Sequence, residues 1–278
     1  MGVDARGTSR IVAVVVAWNR RDLLAQTLHG LAAQTRPLDA VVVIDNASTD
    51  DSADLARAHP VVTEVVTLPT NTGGAGGFAA GIARAVASHD ADLVWVMDDD
   101  TVPTPTALAE LVSARVRHPG RVTVAASRAD WTDGREHPMN RPRPRPGSSR
   151  VARGAARMAG AAYPIRSASF VSILIDAEAI RRHGLPEADY FLWNDDFEYT
   201  ARLIRGGVGL YCPASVAVHK TRTFGSTDAD PGDRFFYEVR NKIWMFSRSR
   251  SLGPAEKVAY GGATLRRWAR TVARSSDR

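Results

Sequence analysis

The chain has 278 residues, of which 44% are apolar, so it is long enough for one large domain with a buried core. The longest apolar runs fall short of the about 20 residues that cross a membrane, and residues 1–10 lack the apolar stretch of a signal peptide. The net charge is +6, but residues 134–157 carry +6 and residues 240–278 carry +8, which leaves −8 on the rest. The single cysteine, Cys212, excludes an internal disulfide framework and fits the cytoplasm.

Residues 11–100 alternate short apolar runs with amphipathic segments. We predict buried strands at 11–18, 39–46, 62–69 and 91–100, and helices at 23–34, 52–59 and 76–89. This alternation is typical of a doubly wound α/β sheet. Ligands of such sheets bind at the carboxyl ends of the strands. The polar residues at those ends are Asn19, Asp45, Asn46, Asn71, Asp98, Asp99 and Asp100.

Residues 137–154 break the pattern. They alternate Pro and Arg without an apolar period, which predicts a loop or extended linker. Strands are predicted again at 169–176 and 209–220, and helices at 177–184 and 195–207. The end of the chain, 263–274, is predicted to be a basic helix with Leu265, Trp268 and Val272 as its apolar residues.

Three consecutive carboxylates, Asp98 to Asp100, end the fourth predicted strand, after the apolar run at 93–97. Such close negative charges repel one another unless a cation offsets them, and clustered carboxylate oxygens are ligands that Mg²⁺ or Mn²⁺ prefers. The alternative is a solvated acidic turn that caps the next helix.

A second acidic cluster, Asp195, Asp196 and Glu198, opens a predicted helix directly after an aromatic run that contains Trp193. A sugar site needs an apolar face for the ring and a base for a hydroxyl, and this pattern supplies both. The alternative is ordinary helix capping by acids. Further on, His219 ends an apolar strand and is a candidate metal ligand, although a lone histidine is more often structural.

The glycines at 74–79 fit the pattern G-x-G-x-x-G/A, and Asp98 follows about 20 residues later. This is superficially a dinucleotide-binding fingerprint, so an NAD-dependent oxidoreductase is one alternative. That motif belongs in the first strand-to-helix turn, however, and here the first strand is followed by residues 18–22 without a glycine. The glycines also fit close backbone approach to a phosphate or sugar at a helix N-terminus.

Several motifs occur in one order between Val14 and Lys220: VVVAWNR, VVVIDNASTD, NTGGAGGF, WVMDDD, NDDFEY and VHK. As an ordered set they resemble the inverting family 2 glycosyltransferases of GT-A fold, a Rossmann-like mixed sheet flanked by helices. Within that family the set is most similar to the actinobacterial galactofuranosyltransferases and rhamnosyltransferase-like members.

The resemblance implies a role for each matching position. Asp98 and Asp100 match the family's metal-binding D-x-D, with His219 completing the metal site. Asp196 matches the catalytic base, with Asp195 beside it. The positions that match the donor site are Ala17, Asn19, Arg20, Asp45, Asn46, Asn71, Gly76 and Asp99, of which Asp45 or Asn46 matches the acid that reads the nucleobase. Trp193 is expected at the acceptor.

The segment 235–244 resembles a Y-x-x-R-N element of related transferases, in which Arg240 would face the diphosphate or an acceptor phosphate. The alternative for Arg240 is a surface cation on a helix. We also expect a GT-A domain over 1–233, with a flexible Pro/Arg loop at about 137–154, and a basic, partly helical extension over 234–278.

The implied reaction moves a sugar from a nucleoside diphosphate to a hydroxyl, with Mn²⁺ or Mg²⁺ as cofactor. UDP-galactofuranose is the favoured donor and dTDP-rhamnose the next. The acceptor is a glycan, a polyprenyl-diphosphate glycolipid or a natural product. The basic segments fit the inner face of the cell membrane, with a solvated Arg-rich tail as the alternative, and nucleic acid is not expected. A catalytically silent sugar-nucleotide-binding protein of the same fold is the other alternative.

Overall fold

The computed structural model describes residues 9–145, 147–224 and 234–274, and within these ranges ten strands form one mixed sheet with helices on both faces. The strands are β1 (Ile11–Ala17), β2 (Ala40–Asp45), β3 (Glu64–Thr67), β4 (Leu93–Asp98), β5 (Thr101–Pro103), β6 (Val122–Asp130), β7 (Arg143–Pro144), β8 (Tyr163–Ser167), β9 (Ile173–Asp176) and β10 (Val208–His219). The helices are α1 (Arg21–Ala32), α2 (Ser52–Ala58), α3 (Gly73–Ser88), α4 (Ala107–Arg117), α5 (Arg150–Met158), α6 (Ala177–His183), α7 (Asp195–Ile204), α8 (Phe235–Ser247) and α9 (Pro254–Arg274).

The sheet has the order β3-β2-β1-β4-β9-β6-β10-β8-β7, with β5 pairing β10 at one end of that strand. Strands β3, β2, β1 and β4 are parallel, as the alternation of strands and helices predicted. Strand β9 is antiparallel to both of its neighbours, so the sheet is mixed. The carboxyl ends of β1, β2 and β4 therefore meet at one edge.

The buried strands alternate their side chains between two cores because the period of a strand is two residues. On one face Ala13 packs in a cluster with Leu24 of α1. On the other face Val14 shares a cluster with Ile82 of α3 and Tyr199 of α7. The continuous apolar run of β1 follows from burial on both faces.

The short strand β5 determines where the third Asp of the triplet lies. It runs antiparallel to the end of β10, with Thr101 opposite His219. The backbone N–H of Lys220 also donates to the carbonyl of Asp100 at 2.8 Å. Residues more than a hundred positions apart in the chain are thus brought side by side.

Residues 137–154 are more regular than the sequence predicted. They contain a 3-10 turn at Pro138–Asn140, strand β7, and the first residues of α5. The prediction of a loop was wrong for α5, because Ser149 accepts a hydrogen bond from the N–H of Ala152 and caps a helix whose side chains are all at least partly exposed. Such a helix lacks the buried apolar face on which the sequence prediction relied.

Helices α8 and α9 follow the last strand of the sheet in the chain. The domain boundary expected after residue 233 lies at a residue outside the described ranges, so that division stays a prediction. Among the described helices, none is both long enough and apolar enough to cross a membrane.

Candidate active site

A cavity of about 620 Å³ lies where the carboxyl end of β4 meets the amino end of α7. Its walls come from distant parts of the chain: the end of β4, residues 139–144, β8, the start of α7, the end of β10, and helices α8 and α9. The side chains that matter most for its chemistry are Asp98, His219, Asp195 and Asp196. The two acidic clusters singled out in the sequence therefore face the same space.

Asp98, Asp100 and His219 are close enough to hold one metal ion, because a ligand atom from each lies within 4.8 Å of the others. Asp100 and His219 are buried. His219 Nε2 lies 3.1 Å from Asp100 Oδ1, and that carboxylate oxygen is buried without a hydrogen-bond partner. A buried carboxylate oxygen in this state is costly unless a proton or a cation satisfies it.

The imidazole of His219 is oriented by Asn140, a residue that the sequence did not single out. His219 Nδ1 lies 2.8 Å from Asn140 Oδ1, and Asn140 Nδ2 donates to Ser169 Oγ at 3.2 Å. This pairing assigns an N–H to Nδ1, so that a neutral ring turns the lone pair of Nε2 toward Asp100, whereas a protonated ring donates from Nε2 to Asp100. A histidine prepared in this way fits a divalent metal, since metal-binding histidines usually donate their other N–H to a fixed acceptor.

The middle carboxylate of the triplet contacts the protein itself. Asp99 Oδ2 accepts the backbone N–H of Trp18 at 2.9 Å, and Asp99 Oδ1 accepts from Arg20 at 3.2 Å. Arg20 also donates to Asp100 Oδ2 at 2.6 Å. The predicted donor contact of Asp99 stays a prediction, while its observed contacts link the end of β1 to the acidic triplet.

Burial and charge act differently on the three carboxyls. Burial, reinforced by the charges of Asp100 and Asp99, raises the pKa of Asp98 well above its usual value. Burial also raises the pKa of Asp99 to about 6, against the lowering effect of Arg20. Burial would raise the pKa of Asp100 too, but His219 and Arg20 hold it below its usual value. Arg20 therefore neutralises only part of the cluster.

The predicted donor-site residues lie along the carboxyl ends of β1 and β2. Ala17 pairs with Asp45 across these strands. Asn19, with φ of 52°, accepts the backbone N–H of Thr49 at 2.7 Å. Asp45 is buried and accepts the N–H of Ser48 at 3.2 Å. These residues shape the floor expected under a nucleotide, and their contacts with it stay predictions.

Asn46 has a different contact from the one that nucleobase recognition would require. Its Oδ1 accepts both the N–H and the hydroxyl of Thr72, and its Nδ2 donates to the carbonyl of Gly73 at 2.9 Å. Asn71 Oδ1 accepts the N–H of Gly73 at 2.8 Å. Both side chains thus hold the start of α3, and of the pair considered for the base, Asp45 is the better candidate.

Several glycines of α3 are required by close packing. A methyl group at Gly76 would overlap the side chain of Thr72, and one at Gly77 would overlap Val16 of β1. At Gly73, φ is 69° and a side chain would overlap the carbonyl of Phe191. The close contacts of α3 with β1 and with the segment before α7 therefore involve Gly77 and Gly73, which are not the glycines of the fingerprint; of those, Gly76 contacts Thr72 and Gly74 has open space at the position of a Cβ.

Asp195 and Asp196 begin α7 with different electrostatic properties. Burial, followed by the charge of Asp196, raises the pKa of Asp195 to about 8. Burial raises the pKa of Asp196 to about 6, while the N–H of Phe197 and the charges of Lys242 and Arg143 lower it. At neutral pH Asp196 is thus mostly ionised and Asp195 mostly protonated. Neighbouring carboxyls with separated pKa values are typical of acid–base sites.

The predicted acceptor residues lie on either side of the segment that leads into α7. Trp193 lines the cavity beside the two carboxyls, so its predicted contact with a sugar remains open to test. The guanidinium of Arg240 donates to the carbonyls of Asp189 and Tyr190, at 2.6 and 2.9 Å. Arg240 is therefore bound to the protein's own backbone, and its predicted contact with a phosphate stays a prediction.

A sequence model described as glycosyl transferase family 2 matches residues 12–175, which include β1 to β9 and the acidic triplet. The chain belongs to this family. Galactofuranosyltransferase GlfT1 of Mycobacterium tuberculosis H37Rv is 31% identical over 275 residues, which cover 91% of this chain and 88% of that protein. The protein of the same name from Mycolicibacterium smegmatis is 28% identical over 288 residues, 95% of both chains.

The fold of this family 2 member is also found in solved structures. The crystal structure of GalNAc-T7 with UDP, GalNAc and Mn²⁺ superposes with a TM-score of 0.65 at 16% identity, covering 85% of this chain and 48% of that one. The GT-A fold predicted from the sequence is confirmed. The chain is a glycosyltransferase that uses a nucleotide sugar, which excludes the oxidoreductase alternative.

Proposed function

We propose that this family 2 member is a metal-dependent inverting transferase that moves a sugar from a nucleoside diphosphate to an acceptor hydroxyl. UDP-galactofuranose is the favoured donor, because two relatives aligned over most of the chain are galactofuranosyltransferases, and dTDP-rhamnose is the next candidate. The observation that carries the proposal is the convergence of Asp98, Asp100 and His219 beside the cavity, which Asp98 and His219 line together with Asp196.

The donor set fits Mn²⁺ or Mg²⁺. Two carboxylates and one imidazole would hold the ion, and Oδ1 of Asp100, which has no hydrogen-bond partner, lies 3.1 Å from His219 Nε2. When bound, a divalent ion would supply Lewis acidity that stabilises negative charge on a departing diphosphate. The protein contributes the rest of the site, since Arg20 and Asp99 fix Asp100 and the loop after β1.

Asp196 acts as the general base in this proposal. Its Oδ1 accepts the N–H of Phe197 at 2.6 Å, so its other oxygen is the one that takes the proton of the acceptor hydroxyl. The hydroxyl oxygen forms a bond to the anomeric carbon from the face opposite the diphosphate, and the pair of electrons in the broken C–O bond leaves with the diphosphate. Configuration at that carbon inverts. Asp195, neutral at pH 7, is placed to donate a hydrogen bond to a sugar oxygen.

The acceptor is proposed to be a glycan, a polyprenyl-diphosphate glycolipid or a natural product, with Trp193 as a contact. A peripheral location at the inner face of the cell membrane is supported by α9, which exposes Val258, Leu265 and Val272 on a helix that also carries Arg266 and Arg270. An amphipathic helix with basic residues is suited to an anionic lipid surface. A cytoplasmic location fits the single buried cysteine, Cys212.

The first experiment measures thermal unfolding with UDP, dTDP, GDP and NAD, each with and without Mn²⁺. A ligand at 100 times its Kd stabilises the folded state by about 2.7 kcal/mol, which raises Tm by several degrees for a chain of this size. We expect a rise with UDP that requires Mn²⁺. The variant Asp98→Asn should lose it, whereas Asp54→Asn, a carboxylate that is 82% exposed, should keep it.

Each outcome has a distinct meaning. A Mn²⁺-dependent rise with dTDP instead of UDP would move the donor to dTDP-rhamnose and leave the site intact. A rise with UDP that is the same without Mn²⁺, or the same in Asp98→Asn, would contradict the metal site. No rise with any of the nucleotides would contradict the proposed donor.

A further inference from the structure

The backbone that leads into the two catalytic carboxyls is in an unusual conformation. Phe191, Trp193 and Asn194 have φ values of 60°, 68° and 65°. At Phe191 ψ is −63°, and the N–H of Leu192 donates to the carbonyl of Tyr190 at 2.6 Å, which together describe a γ-turn of the rare, strained kind. Residues with side chains seldom adopt these angles, and they persist only where surrounding contacts enforce them.

Asn241 of α8 supplies one such set of contacts. Its side chain is fully buried. Its Nδ2 lies 2.9, 2.9 and 2.8 Å from the carbonyl oxygens of Tyr190, Leu192 and Trp193. These carbonyls converge on one amide group only because the turn at Phe191 folds the chain back, so the hydrogen bonds and the unusual angles depend on each other.

Other residues of α8 hold the same segment from both sides. Glu238 accepts from Asn194 Nδ2 at 2.7 Å, directly before Asp195. Phe191 stacks on Tyr237 with ring centroids 5.2 Å apart. Arg240 donates to the carbonyl of Asp189 and lies over the rings of Tyr237 and Trp244. Polar and aromatic side chains of α8 thus contact the segment at Asp189, Phe191 and Asn194.

Glu238 also links the segment to the end of the chain. It pairs with Arg267 and lies 3.4 Å from Trp268 Nε1, both in α9. A continuous set of contacts therefore runs from α9 through α8 to Asn194.

We propose that Asn241 is a positioning residue for catalysis: by holding the carbonyls of residues 190, 192 and 193 it keeps Asp195 and Asp196 directed into the cavity. Arg240 assists it from the outer side of the segment. Arg240 and Asn241 of α8 thus bind the backbone of residues 189–193, and α8 helps to position the active-site carboxyls. This inference rests on the proposed catalytic role of Asp196.

The physical reason lies in how α7 begins. Asn194 precedes the helix with a positive φ, so a return of this residue or of Phe191 to ordinary angles would turn the first residues of α7 relative to the sheet. Asp195 and Asp196 are those first residues. A displacement of about 1 Å at a reacting group lowers the rate by about 10²-fold. The candidate metal ligands belong to other elements, β4, the residues after it and β10, so their positions do not depend on these angles.

The test compares three full-length variants. Asn241→Asp keeps the size of the side chain and replaces the donor by a carboxylate facing three carbonyls, and Asn241→Leu removes the donor without adding charge. Ile243→Asp is the matched control, since it adds the same charge to the same helix at a side chain that is 52% exposed. Release of UDP from UDP-galactofuranose in the presence of acceptor gives kcat and KM, and hydrogen exchange reports on residues 189–194.

We expect kcat of both Asn241 variants to fall by about 10²-fold. Their donor KM should stay within about threefold of the control, and their Mn²⁺-dependent rise in Tm with UDP within about 1–2 °C of it, which is the scatter of neutral surface changes. Exchange at 189–194 should accelerate. The acidic limb of the pH profile should move to lower pH, because Asp196, whose burial raises its pKa to about 6, would become solvated.

Equal kcat, exchange and pH profiles in Asn241→Leu and Ile243→Asp would overturn the inference. So would an equal loss of kcat and of UDP binding, which would indicate general destabilisation. If the wild-type protein transfers no sugar but the Asn241 variants still show faster exchange at 189–194, the proposed function would be contradicted. The role of Asn241 in holding that segment would be supported.

Discussion

Replacing Asp195 by Asn should make the metal-free protein more stable at alkaline pH. Burial and the charge of Asp196 raise the pKa of Asp195 from 3.8 to about 8. The folded protein therefore keeps a proton that the unfolded chain releases, so the contribution of Asp195 to stability is fully present below pH about 4 and is lost as pH rises toward 8. The Asn side chain is neutral at every pH and does not incur this loss.

The size of the effect follows from the shift. At about 1.36 kcal/mol per pKa unit, a change of roughly four units corresponds to about 5–6 kcal/mol if Asp195 bears all of it. Because Asp196 shares the repulsion, we expect Asp195→Asn to be more stable than wild type by about 2–4 kcal/mol at pH 8. Near pH 4 the two proteins should differ by less than about 1 kcal/mol.

The assay is urea unfolding at pH 4.5, 6 and 8 with EDTA present, followed by circular dichroism. Asp189→Asn serves as control, because this exposed carboxylate belongs to the segment just before the site. The argument would be refuted by a variant that is no more stable than wild type at pH 8, or by a difference in stability that is the same at all three pH values. Either result would mean that ionisation of Asp195 beside Asp196 does not destabilise the folded protein.

Three further changes test separate parts of the site and the fold. Asp196→Asn should lower kcat by about 10²–10⁴-fold while Mn²⁺-dependent binding of UDP, measured calorimetrically, stays within about threefold; a parallel loss of both would remove Asp196 as the base. Asn140→Leu should weaken Mn²⁺ binding by about 10–100-fold in a metal titration of the UDP-induced Tm shift, and unchanged affinity would mean that His219 does not need its Nδ1 partner. Asp176→Asn should lower the free energy of unfolding by about 1–3 kcal/mol, because Asp176 caps α6 and pairs with Arg115 and Arg121. Burial would raise the pKa of Asp176, but the two arginines lower it, so its contribution is present above pH about 4 and is lost on acidification through its folded pKa; a deficit that persists at low pH would argue against this account.

The parallel half of the sheet could be predicted because its signals are local. The runs of β1, β2 and β4 are continuous and apolar, and helices with an apolar period follow each of the first two strands. Strand β6 had a usable signal in the run VTVAA at 122–126, which the prediction passed over. Strand β8 carries Pro and Arg and is defined mainly by its pairing with β10, so its local signal is weak.

The candidate site was predicted where chemistry is concentrated in a few adjacent residues. The acidic triplet, the pair at 195–196 and His219 were all recognisable from residue type and order. Asn140 was not, because it lies in a Pro/Arg-rich stretch and its role comes from a contact with a residue 79 positions away. For Arg240 the sequence left a phosphate contact and a surface cation as alternatives, since nothing near it in the sequence indicates that it binds the carbonyls of Asp189 and Tyr190.

Because Gly73 has no side chain, the start of α3 can lie directly against the segment that leads into α7, although the two are far apart in the sequence. The start of α3 lies against the carbonyl of Phe191, which also accepts the N–H of Ala75 at 3.2 Å. The loop expected to hold the donor and the segment that presents the catalytic carboxyls therefore share one interface. Grafting residues 71–77 from another transferase to change sugar preference would bring in a loop shaped for a different partner. A chimera that retains activity would have to exchange residues 188–194 together with that loop.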